Sequence, residues 1–81
     1  MSGRGDIHPA GDQPADQPWA RTADRHVWRA YKNGLMLTVT EAIGGGWHPV
    51  VEGPGVTEHG PVLATRTGAM RWAEDRAGGA P

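Results

Sequence analysis

The chain contains no cysteine and no phenylalanine, and it has no long run of apolar residues. Without cysteine it can form neither a disulfide scaffold nor a thiolate metal site, and it has no cysteine nucleophile. Nowhere do about 18 apolar residues follow one another, and the first residues lack the apolar core of a signal peptide. We therefore expect a cytoplasmic protein that has no membrane partner.

The chain is also short, with 81 residues, and 13 Gly and 7 Pro disfavour long helices. This length allows one small domain and little room for a pocket that excludes water, so we expect no enzymatic activity and no cofactor. No two of the 4 histidines have the helical spacing of a metal-binding pair, so we expect no metal site. Arginine supplies all but one of the 8 basic residues, a bias that resembles the product of a GC-rich genome such as that of an actinobacterium or one of its phages.

Residues 1–24 differ from the rest of the chain in composition. They contain two Asp-Gln-Pro copies, several glycines and almost no aliphatic residues, which predicts a disordered N-terminal arm. We assign 25–78 to a folded module and 79–81 to a disordered tail. Trp19 is exceptional within the arm, and two interpretations stay open: it folds back onto the module as an anchor, or it is free to enter a pocket of a partner.

The strongest local signal is a β-hairpin around Asn33 and Gly34, which tolerate the positive φ angles of a type I′ turn. This turn sets a register from Lys32 opposite Leu35 back to Val27 opposite Thr40. Because side chains alternate along a strand, each face of the hairpin has its own set of residues. One face is apolar, with Trp28, Ala30, Leu35, Leu37 and Val39. The other is mixed, with Val27, Arg29, Tyr31, Met36, Thr38 and Thr40.

The remaining elements complete an α+β fold. Trp47-His48-Pro49-Val50-Val51 predicts a third strand, in which Pro49 indicates an edge or a bulge. Glycines and prolines at 53–55 and 60–61 bracket a loop, and 62–65 is either a fourth strand or the last part of a long third hairpin. Thr67 or Thr65 caps a helix that runs to about Ala77. We thus predict a three- or four-stranded antiparallel sheet with one C-terminal helix. At least two of Trp28, Trp47 and Trp72 are expected to share its core.

The C-terminal two-thirds of the chain resembles AP2-like and integrase arm-type DNA-binding domains of β-β-β-α architecture. In these domains a strand with a tryptophan precedes a glycine, another strand, a Thr-Arg or Thr-Lys step and an Ala-rich helix. The matching positions are Trp47, Val51, Gly60, Thr65, Arg66, Ala69 and Ala73. The resemblance implies that the sheet presents arginines and aromatic residues to DNA, here Arg29, Tyr31, Lys32 and Thr38. The chain departs from the family in having few basic residues and an acidic arm.

Two functions are consistent with these observations. We favour a small binding module, a phage-borne or accessory regulator, that docks the mixed face of its sheet onto a protein partner or a second copy. So small a module is marginally stable alone, and an interface would add burial. The alternative is a DNA-binding protein that uses the same face, although an isoelectric point near 6.4 disfavours it. The candidate binding residues are Arg29, Tyr31, Lys32, Met36, Thr38, Arg66 and Arg71.

Overall fold

The computed structural model describes residues 15–78, which form an antiparallel sheet with one C-terminal helix, so the predicted α+β class is confirmed. The strands are β1 (Gln17–Arg21), β2 (Val27–Lys32), β3 (Leu35–Glu41), β4 (Trp47–Gly53) and β5 (Val56–His59), followed by α1 (Arg66–Gly78). The strands lie in the sheet in the same order as in the chain. α1 packs across one face, mainly over β3 and β4.

The central hairpin of β2 and β3 has the predicted register from Lys32–Leu35 to Val27–Thr40. Both turn residues have positive φ, 54° for Asn33 and 78° for Gly34, as a type I′ turn requires. Asn33 also binds the end of the helix, since its Nδ2 donates a hydrogen bond to the carbonyl oxygen of Ala77 at 3.0 Å. The same residue therefore shapes the turn and satisfies a carbonyl group in the last turn of α1.

The sheet has five strands, so the predicted count of three or four is wrong. β1 lies within the segment predicted to be a disordered arm, and that prediction is wrong for 17–21. Trp19 explains the difference: its Nε1 donates a hydrogen bond to Glu74 Oε2 at 2.6 Å, so the anchor interpretation is confirmed. The disorder predicted for 1–14 and 79–81 concerns residues outside the described range.

β5 occupies residues that the sequence placed in a loop. Pro54 and Gly55 connect it to β4, and Gly55 has the positive φ of 73° that the third position of a type II turn needs. The strand predicted at 62–65 is wrong, because only Leu63 pairs, as a single bridge to Trp47. Glycines and prolines on both sides of Val56–His59 led to the loop prediction, although a two-residue turn at 54–55 needs those residue types.

Pro49 lies inside β4 at a place where the lack of an N–H is harmless. Its carbonyl accepts a hydrogen bond from Gly60 N–H at 2.9 Å, directly after β5 has ended. The amide nitrogen of a strand residue points to the same side as its carbonyl, so no ladder bond to β3 is lost. The sequence predicted that Pro49 marks an edge or a bulge. In the structure Pro49 lies beside Gly60, where β5 has ended and β4 has become an edge on that side.

The helix begins after Thr65, whose Oγ1 accepts a hydrogen bond from Gly68 N–H at 3.0 Å. Thr65 is therefore the N-cap, one of the two predicted alternatives. Small side chains let α1 approach the sheet closely. The core consists of Ala30, Leu37, Val39 and Val51 from the sheet and Ala69, Ala73 and Ala77 from the helix.

The tryptophans do not fill one shared core, so that prediction is wrong. Trp72 packs against the core cluster, together with Trp19. Trp28 and Trp47 lie elsewhere, where the guanidinium of Arg66 is 4.3 Å from the Trp28 ring centre and 5.9 Å from that of Trp47. The bulk of the core is aliphatic because the alanines of α1 leave no space between helix and sheet for several indoles.

Candidate functional site

The face of the sheet turned away from α1 carries the most concentrated set of candidate residues. Alternation along the strands decides its membership, because Ala30, Leu37 and Val51 point toward the helix and their neighbours point away. We call it the open face, and it comprises Gln17, Ala20, Val27, Arg29, Tyr31, Met36, Thr38, Thr40, His48, Val50, Glu52, Thr57 and His59. All of these residues are half-buried or exposed.

Four of the seven predicted binding residues meet on the open face. Arg29 lies directly opposite Thr38, and Tyr31 lies directly opposite Met36 in the next row of the sheet. Arg29 is exposed, whereas the other three are half-buried. The structure thus brings together a cation, an aromatic ring, a thioether and a hydroxyl on one surface.

The other three predicted residues lie elsewhere. Lys32 ends β2 on the helix side, where its Nζ approaches Gly78. Arg66 begins α1 and stacks on Trp28, so part of its guanidinium is used in a cation–π contact within the fold. Arg71 is exposed on the helix. These basic residues and Arg29 therefore do not form one cluster.

The open face continues onto β4 and β5 with residues that the candidate set lacks. Val50 lies opposite Thr38 and Glu52 lies opposite Met36, so they extend the two rows that begin with Arg29 and Tyr31. His48 and His59 stack at one corner, with ring centres 5.5 Å apart and ring planes 15° from parallel. Alternation within the predicted third strand was the signal for His48 and Val50. No comparable signal existed for His59, because β5 was not predicted.

Opposite charges on the open face are balanced and separated. Arg29 on β2 and Glu52 on β4 lie on either side of β3, and within residues 15–78 neither forms an ion pair. The ion pairs of this range lie elsewhere, between His26 and Glu41 at 2.9 Å and between Arg76 and Glu58 at 3.2 Å. The centre of the face, around Thr38 and Met36, carries no formal charge.

A groove lies on the other side of the sheet, between its first two strands and α1. This groove has a volume of about 370 Å³, and its lining includes Trp19, Lys32, Leu37 and Glu74. Two of its polar groups already serve the fold, since Trp19 and Glu74 bond to each other. We therefore interpret the groove as the seam left where Trp19 anchors β1 against the helix.

Comparison of the chain with protein-family models, with curated proteins and with solved structures found no match. The resemblance to AP2-like and integrase arm-type domains stays a prediction. Within residues 15–78 no helix has the length and hydrophobicity needed to cross a bilayer. The same residues contain no group of three His, Asp or Glu side chains placed to hold a metal ion. Function is therefore inferred from the geometry of the open face.

Proposed function

We propose that this protein is a non-enzymatic binding module that docks its open face onto a protein partner. The observation that carries the proposal is the chemistry of the two central rows, which are Arg29–Thr38–Val50 and Tyr31–Met36–Glu52. Protein interfaces are enriched in Tyr, Met and Arg, and charged groups are depleted at their centres. The open face has this distribution, with Arg29 and Glu52 to either side of an uncharged middle.

Among residues 15–78, no helix or strand packs over the open face. α1 covers the opposite face and supplies the alanines that complete the core. Open-face residues therefore contribute less to folding than Leu37 or Val39, which are both fully buried. Substitutions on this surface are expected to change the free energy of unfolding by less than about 1 kcal/mol. Binding can therefore be perturbed without unfolding the protein.

Charge favours a protein partner over DNA. Nucleic-acid affinity depends on several basic groups that contact phosphates together. Of the four basic residues considered for DNA contact, only Arg29 lies on the open face, while Lys32, Arg66 and Arg71 lie on or near the helix. Glu52 on the same face would repel a phosphate backbone. DNA binding is the competing function that the experiments must separate.

The direct test places a photo-crosslinking phenylalanine analogue at Tyr31, with the same analogue at Arg71 as the matched control. Tyr31 lies on the open face, whereas Arg71 is exposed on the helix. We expect irradiation in a cell that expresses the protein to give a discrete protein adduct from position 31 and none from position 71. Equal labelling from both positions, or no adduct from position 31, would contradict the proposal.

A second experiment titrates the protein with random-sequence duplex DNA at low and at moderate salt and follows DNA anisotropy. Because the basic residues are dispersed, we expect no binding tighter than about 100 μM at low salt. Binding in the low micromolar range that weakens steeply with salt would instead support the DNA-binding function. Arg29→Ala and Arg66→Ala would then be the first variants to compare.

A further inference from the structure

The distribution of charge across the open face identifies a partner that fits it. Arg29 lies on β2 and Glu52 on β4, one strand to either side of β3 and one row apart along the strands. A surface with opposite charges on the two sides of a central line is complementary to itself after rotation about that line. This is the condition for an isologous contact between two identical chains.

We propose that the open face binds the open face of a second copy, with a two-fold axis that runs along β3. The inference rests on the proposed function, since it names the partner of the same surface. Rotation by 180° about this axis places β4 of the second copy over β2 of the first, and β3 over β3. The result is a face-to-face β-sandwich of two five-stranded sheets.

The contacts in this arrangement follow from the register. With sheets about 10 Å apart and rows about 7 Å apart, the Cα atoms of Arg29 and of Glu52 in the second copy are about 12 Å apart. Extended Arg and Glu side chains together bridge that distance. Each dimer contains the pair twice. Tyr31 lies opposite Glu52 of the second copy, and its hydroxyl group can donate a hydrogen bond to that carboxylate.

The central residues meet their own copies on the axis. Met36 lies over Met36 of the second copy and Thr38 over Thr38, so flexible thioethers and uncharged hydroxyls fill the middle of the sandwich. Like charges stay apart: two copies of Arg29 would be separated by about 14 Å, given strand spacings of about 4.8 Å. The arrangement therefore brings opposite charges together and keeps like charges apart.

The size of the face sets the expected strength of the contact. The 13 open-face residues, at about 4.8 by 7 Å each, correspond to roughly 440 Å² per copy before side-chain relief is added. Two such faces bury about 900 Å² in total, which is below the range of about 1,200 to 2,000 Å² for stable interfaces and is typical of weak or transient ones. We therefore expect a reversible dimer with a Kd in the micromolar range, well populated only at high protein concentration.

Charge exchange gives a sharp test of this arrangement. Arg29→Glu alone would place two carboxylates against each other, one at position 29 and the other on Glu52 of the second copy. Glu52→Arg alone would in the same way oppose two guanidinium groups. We expect each variant by itself to dimerise at least tenfold more weakly than the unmodified chain.

In an equal mixture the two variants should form a heterodimer, because one chain then carries two carboxylates and the other two guanidinium groups at these positions. Arg71→Glu on the helix is the matched control and should dimerise normally.

Sedimentation equilibrium between about 1 μM and about 1 mM measures these equilibria, since this range brackets a Kd in the micromolar range. Circular dichroism establishes that each variant is folded. An unmodified chain that stays monomeric at about 1 mM would overturn the proposal. So would folded variants that do not associate when mixed, or an Arg71→Glu control that weakens the dimer as much as they do.

Cross-linking supplies a readout that does not depend on charge reversal. The chain has no cysteine, so Thr38→Cys introduces a unique thiol next to the axis. We expect a short bis-maleimide to join two Thr38→Cys chains efficiently and two Arg71→Cys chains poorly. Equal yields from both variants would overturn the proposal. If the homodimer fails while the analogue at Tyr31 captures a different protein, only the identity of the partner is wrong; if it captures nothing, the proposed function fails too.

Discussion

Replacing Asn33 by alanine tests how the hairpin turn is linked to the end of the helix. Asn33 performs two tasks that can be separated. Its backbone adopts a φ of 54°, which alanine resists, and its side chain donates a hydrogen bond to the carbonyl of Ala77. Glycine at this position removes the side-chain bond but accepts the positive φ, so Asn33→Gly isolates the second task.

The expected magnitudes differ between the two variants. Loss of one hydrogen bond to a helix-terminal carbonyl lowers the free energy of unfolding by about 1 kcal/mol. Alanine in the left-handed region adds about 1 kcal/mol relative to asparagine. We therefore expect Asn33→Ala to destabilise the protein by about 2 kcal/mol and Asn33→Gly by about 1 kcal/mol. For a domain of this size, a loss of about 2 kcal/mol corresponds to a decrease in Tm of about 8 to 16 °C.

Urea unfolding followed by tryptophan fluorescence gives both free energies, provided that the m-values agree between variants. Asn33→Asp supplies a further comparison, because a carboxylate cannot donate to Ala77 and is repelled by the negative end of the helix dipole. We expect it to be less stable than Asn33→Gly at neutral pH. Equal stabilities for the Ala and Gly variants would refute the backbone argument. Changes below about 0.5 kcal/mol in all three would refute the link to the helix.

Three other substitutions test separate features of the fold. Trp19→Phe keeps an aromatic ring but removes the donor to Glu74, and we expect a loss of about 1 kcal/mol in urea unfolding; no change would mean that β1 is held by other contacts. Gly60→Ala would bring a Cβ to 2.9 Å from the Trp72 ring, so its Tm should fall by an amount equivalent to about 1 to 3 kcal/mol, and an unchanged Tm would contradict this close packing. Gly34→Val should lose about 2 kcal/mol through its φ of 78°, and thermal stability equal to that of the unmodified chain would contradict the turn geometry.

Local signals explain which parts of the fold were predictable from the sequence. The β2–β3 register follows from Asn33 and Gly34 alone, because a two-residue turn determines every later pair of the hairpin. The helix was predictable for a similar reason, since Thr65 and the glycine at its end are recognisable caps. In both cases the deciding residues lie within or next to the element they define.

The edge strands were not predictable because distant residues stabilise them. β1 contains Pro18 and a single large apolar side chain, Trp19, whose hydrogen-bond partner Glu74 lies 55 residues away. β5 has only four residues and weak alternation, and it forms because β4 offers an adjacent edge. The part of the open face that lies on the central hairpin was therefore predictable from the sequence. Glu52 and His59 joined it only through the pairing of β4 with β3 and with β5.

The order of the strands has a consequence for the speed of folding. Each strand pairs with the next one along the chain, so the sheet can assemble through a series of short loop closures. Contacts of this kind give a low contact order and fast folding. Two much longer closures join Trp19 to Glu74 and Asn33 to Ala77, and both involve the helix. We therefore expect the sequential pairing of the strands to be rapid. Docking of α1 onto the sheet is then expected to be the rate-limiting step of folding.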